Sequence, residues 1–158
     1  HVESIDVRKG HEKEKEQLIT DLTIVVENAL KKMGDFYSIQ GLTLSNSDGS
    51  LSAMISTATR KTDIEIARLI NTSSSISVTL PEGVAVQYLP ESRTLKTRFG
   101  EYTCTVSALE NSFQLKSHFV LKKKRIPSAD YTEFKAFVKN VLEHQRESIL
   151  LKRIKNAE

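Results

Sequence analysis

The chain has 158 residues, enough to bury one core of its own. Hydrophobic residues make up 39% and charged residues 27%, the balance of a folded chain, and no apolar run reaches the roughly eighteen residues a membrane-spanning helix needs. The net charge of +3, from 23 Lys and Arg against 20 Asp and Glu, is too mild to imply nucleic acid by itself.

Cys104 is the single cysteine, so no internal disulfide can form. His1, His11, His118 and His144 are scattered, with no metal-ligand spacing among them, and no cofactor is expected. No signal peptide is evident.

In chain order, "HVESIDVR" has the look of a short strand, ended by Lys9 and Gly10. A helix is predicted next, over "HEKEKEQLITDLTIVVENALKKMG". Leu18, Ile19, Leu22, Val25, Val26, Ala29, Leu30 and Met33 recur at steps of three and four, with Gly34 as its stop. From Phe36 the pattern turns to strands. "YSIQGLTLS" runs into a turn at "NSDGS", and "LSAMISTA" and "TDIEIARL" follow as further strands. "SSSISVTL" places Ile76, Val78 and Leu80 on one face, and Pro81 with Gly83 ends it. "VAVQY" alternates again up to Pro90.

Between Arg93 and Leu121 lies the clearest sheet, a three-stranded antiparallel meander. Its apolar face carries Leu95, Phe99, Tyr102, Cys104, Val106, Phe113, Leu115, Phe119 and Leu121. A helix should begin at Ser128 as N-cap, with Tyr131, Phe134, Phe137, Val138, Val141 and Leu142 as a stripe over the sheet. "SILLKRI" then forms a last strand that pairs with the sheet and covers an edge. The predicted fold is α+β: an antiparallel sheet or sandwich with an N-terminal helix, and a C-terminal helix followed by a last strand. One domain is expected over 1–158, with 1–36 as N-terminal strand and helix, 37–126 as the β-rich body and 127–158 as the closing elements.

Little in this pattern carries chemistry. Cys104 with His118 is the one pair suggesting a thiol nucleophile and its base. Strand parity sets the two on opposite faces of the sheet, which leaves Cys104 as a small core residue. A second feature is a basic face. Lys96, Arg98, Lys116, His118, Lys122 and Lys124 are predicted on the polar side of the meander, where they would meet phosphate or an acidic surface, or only solvate the sheet. No aromatic residue is interleaved to stack on bases, so no nucleic-acid ligand is expected. The N-terminal helix should pack on its own domain rather than on a membrane.

Two stretches carry a family resemblance: "ISVTLPEGVAVQYLPES" leading into "FGEYTCTVS", and "FVLKKKRIPSADYTEFKAFVKNVLEHQRESILLKR". They resemble the C-terminal β domain of unknown function in bacterial multidomain proteins with a transglutaminase-like, papain-fold core. The matching marks are Leu80-Pro81-Glu82-Gly83, the helix from Pro127 to Phe134, and the strand Ile149 to Lys152; Arg60 to Ile66 resembles the strand that precedes them. The resemblance covers about residues 60–154 and fades over 1–59.

It implies a non-catalytic accessory domain that docks beside, or presents substrate to, a transglutaminase-like or cysteine-peptidase-like core. No Cys-His-Asp catalytic set is carried over. It also implies the periplasm or cell envelope, and a monomer as an isolated domain. The alternative is a free-standing binding protein that offers the basic face to an acidic ligand.

Overall fold

The computed structural model of the chain describes residues 2–12, 15–24, 30–39 and 47–154. The chain forms two compact units, His1–Lys31 and Lys32–Glu158.

In the first unit, β1 (Val2–Glu12) and β2 (Lys15–Ile24) pair antiparallel, with Ile5 opposite Leu22 and Val7 opposite Thr20. The helix predicted from His11 to Gly34 is therefore replaced, over Lys15–Ile24, by a strand. Two periods compete here. Leu18, Leu22 and Ile24 also satisfy a period of two, and β-branched Ile19, Thr20, Thr23 and Ile24 favour a strand once β1 supplies a partner. Val25, Val26 and Ala29 lie outside the described residues.

In the second unit, a four-stranded antiparallel sheet has the order β6 (Asn71–Thr79), β10 (Ser112–Leu121), β9 (Gly100–Leu109), β8 (Arg93–Lys96). The predicted meander is its β8-β9-β10 part, and β6 adds to the far side of β10. At Gly100 a Cβ would collide with the Val120 carbonyl oxygen of the neighbouring β10. Tyr102 and Cys104 share the inner face with Phe119, and all three are buried.

The helix α2 (Tyr131–Gln145) closes that face. Its Phe134 ring meets Phe99 edge-on at 5.6 Å, and Phe137 stacks on Phe119 at 6.1 Å. Tyr131, Phe134, Phe137, Val138, Val141 and Leu142 are all buried, each large apolar side chain contributing about 1.5–3 kcal/mol. Ser128 is not the predicted side-chain cap. It opens a short 3-10 turn, and its backbone N–H donates to Asp63 Oδ1 at 2.8 Å. The same carboxylate holds Arg125, so the helix start is fixed by a residue far upstream.

The last strand, β12 (Ile149–Arg153), does not cover an edge of the meander. It lies at the centre of a second sheet, ordered β3 (Lys31–Met33), β4 (Phe36–Ile39), β12, β7 (Val84–Tyr88). Ile149 and Leu151 pack with Ile39, Leu80 and Phe113 into a second core cluster between the two sheets. The Leu80-Pro81-Glu82-Gly83 motif is the crossing point. Leu80 anchors in that cluster, the Val84 N–H donates to the Pro81 carbonyl, and Gly83 takes φ +75, a left-handed conformation that glycine adopts without penalty.

The predicted strand "LSAMISTA" begins instead in the helix α1 (Ser47–Met54), with Leu51 fully buried and Met54 and Ile55 partly so. Spacing of three and four at Leu51, Met54 and Ile55 serves a helix against α2 better than a strand. "TDIEIARL" keeps only β5 (Ile64–Glu65), paired with β11 (Arg125–Ile126). The part of "YSIQGLTLS" beyond Ile39 lies outside the described residues.

Candidate functional site

A narrow crevice of about 30 Å³ opens between the inner face of the four-stranded sheet and the end of α2. Its walls include Ser74 and Ile76 of β6, Cys104 of β9, Leu115 and Ser117 of β10, and Gln145 of α2. It lies at the seam between the two core clusters, where neither the helix nor the second sheet fully covers the inner face.

Tyr102 and His144 form its floor. The His144 Nε2 lies 2.8 Å from the Glu91 backbone carbonyl, which can only accept, so Nε2 carries a proton. In the neutral ring Nδ1 is then the acceptor, and the Tyr102 hydroxyl donates to it at 2.8 Å. Burial pushes the Tyr102 hydroxyl far above its ordinary range, which keeps it a donor. Burial likewise raises the Cys104 thiol; the Tyr102 hydroxyl offsets part of that rise and the Glu147 charge adds to it.

A nucleophilic thiol needs the opposite conditions, a lowered pKa and a base free to take its proton. Cys104 has neither, since both nitrogens of His144 are engaged. His118 is no substitute. It sits opposite Thr103, while Cys104 sits opposite Ser117, so the two side chains point to opposite faces as predicted. His144 was not singled out by its sequence context, although a signal was there. It follows Val141 by three residues and so continues the buried stripe of α2.

The basic residues separate into distinct environments. Lys96, Lys116 and His118 share the outer face of the four-stranded sheet, where His118 Nε2 pairs with Asn71 Oδ1 at 2.9 Å. Lys122 is held by Glu101 at 2.5 Å, and that ion pair lowers the Glu101 carboxyl. Arg98 turns to the helix side, pairs with Asp130 and Glu133, and lies over the Phe99 ring. Lys124 lies in the turn before β11. Among the described residues, no group of three or more His, Cys, Asp or Glu is placed to hold a metal, and no helix is long and apolar enough to cross a membrane.

Fold and crevice together define an α+β domain of two packed antiparallel sheets, closed by a helix whose histidine is bonded into the interior. Residues 36–151 match the model of the family described as a domain of unknown function with a solved structure, DUF3858, and the chain belongs to that family. No curated protein sequence matches it. Among solved structures it is similar to a crystal structure of a "putative protease" from Parabacteroides distasonis, with 20% identity and a TM-score of 0.58. The match covers 73% of this chain and 23% of that one, so the chain corresponds to about a quarter of that larger protein.

Proposed function

We propose that the chain is a non-catalytic accessory domain that docks beside, or presents substrate to, a transglutaminase-like or cysteine-peptidase-like core in the bacterial cell envelope. One observation carries the non-catalytic part: Cys104 is buried, its thiol is raised, and both nitrogens of His144 are bonded elsewhere. Support for the peptidase-like context comes from the Parabacteroides protein, of which this fold is a minor share. The basic-face alternative loses two of its six residues, since Arg98 and Lys122 already pair with carboxylates.

The test has two parts. The purified chain, with Cys104→Ala beside it, is assayed for peptide hydrolysis and for transamidation. No activity is expected from either; a turnover that Cys104→Ala abolishes would overturn the reading. The reading frame upstream of the His1 codon should encode a papain-like Cys-His-Asp segment, and an unrelated segment there would remove the proposed context.

A further inference from the structure

The two edges of the four-stranded sheet are unlike. At one, β8 is only four residues long and carries Arg93 and Lys96, two charges of the kind that discourage pairing with another chain. At the other, β6 runs nine residues, Asn71–Thr79, with no charged residue and no proline. Its register with β10 is unbroken from Thr79 opposite Ser112 to Asn71 opposite Val120, so no bulge twists the edge away. Among the described residues β6 has no strand on its other side.

The crevice reaches this unguarded edge. Ser74 and Ile76 line it from β6, and Leu115 and Ser117 beside them are only half-buried although they face inward. Gln145, 7% exposed, lines the same space, and among the described residues its Oε1 has no hydrogen-bond partner. An acceptor left so deep is costly until a donor reaches it. On the outer face, Lys116 stands opposite Ser75 and His118 opposite Ser73.

We propose that the β6 edge takes up one extended strand of a partner polypeptide, with small apolar or hydroxyl side chains facing the crevice and acidic side chains facing outward. Main-chain hydrogen bonds to β6 supply affinity, and alternate side chains supply choice. The inner positions suit Val or Thr: the space is small and apolar, and a Thr hydroxyl is the donor that Gln145 Oε1 lacks. The outer positions suit Glu. A guest strand would lie about 10 Å from β10, two strand spacings and just beyond the roughly 8 Å screening length at physiological salt, so a guest Glu and Lys116 attract by leaning their long side chains toward each other across Ser75. This names the surface and ligand chemistry of the accessory reading above, and rests on its claim that the chain acts by binding.

The experiment titrates the full chain with a capped heptapeptide, Glu-Val-Glu-Thr-Glu-Val-Glu, and follows binding by calorimetry and amide hydrogen exchange. Two further peptides carry N-methyl groups on one or the other alternate set of residues. Strand addition uses only one set of amides, so one N-methylated peptide should bind at least about tenfold more weakly while the other keeps most of its affinity. Slower exchange should be confined to β6. The exposed pair Ser75→Glu with Ser77→Glu should also weaken binding about tenfold, with an unchanged thermal melt showing the fold intact. No binding at millimolar peptide, equal affinity for both N-methylated peptides, or dimerisation of the chain itself through β6 would overturn the proposal. Hydrolysis of the peptide would overturn the accessory reading instead, leaving the N-methyl comparison to judge strand addition.

Discussion

Tyr102 and His144, 42 residues apart in sequence, meet with 2.8 Å between the phenol oxygen and Nδ1, their rings 5.6 Å apart and inclined at 70°. The bond fastens the end of α2 to the start of β9, and Glu91 completes it from the loop before β8. Tyr102→Phe keeps the ring but leaves Nδ1 buried without a donor. We expect a loss of about 1–3 kcal/mol, the cost of one orphaned buried polar atom. Urea unfolding checks this; a midpoint equal to that of the parent would show that the bond contributes nothing.

Cys104 should behave as core. Native-state labelling by a thiol reagent should be slow at neutral pH and accelerate only in alkali, since its pKa is raised and the reactive form is the thiolate. Cys104→Ala should cost about 1–2 kcal/mol for a small added cavity. Rapid neutral-pH labelling would contradict the buried placement.

Asp63 links β5 to the start of α2. The Ser128 N–H that it accepts, followed by Arg125, holds its carboxyl below the ordinary value. A carboxyl depressed in the folded state contributes stability above the unfolded pKa and loses it as pH falls through the folded one. The melting temperature should therefore drop on acidification below about pH 4, and Asp63→Asn should flatten that drop. An identical acid profile for the two proteins would exclude Asp63 as a source of the dependence.

Phe134 is fully buried at the contact between α2 and Phe99. Its replacement by Ala should cost roughly 3–5 kcal/mol, as for other large aromatics lost from a core. Deleting 127–158 removes α2 and β12 together. That uncovers Phe99 and Phe119 on one cluster and Phe113 on the other, so an aggregating or molten chain is expected. A truncated chain that stays monomeric with a cooperative melt would make α2 an appendage.

Elements whose own residues carry a clear period were legible. β7 and β10 fall on the predicted segments, and the α2 stripe faces the meander as its spacing requires. Parity alone separated Cys104 from His118, because side chains on a strand alternate without reference to anything beyond its neighbours. Where two periods coexisted, the partner decided. Lys15–Ile24 satisfies a helix and a strand almost equally, and pairing with β1 resolves it. The same holds for Leu51 and Met54, which become helical beside α2, with Ile55 packed just past the helix end.

The sequence determined, by itself, that a last apolar strand follows a capped-looking helix; it did not determine which sheet receives the strand. That choice depends on β4 and β7 offering two flanks while Leu80 and Phe113 offer a face, groups spread from Phe36 to Phe113 and brought together only by folding. His144 is the sharpest case. Its position continues an apolar stripe, but its bonds run to Tyr102 and Glu91, and hydrogen-bond partners 42 and 53 residues away leave no trace in local spacing.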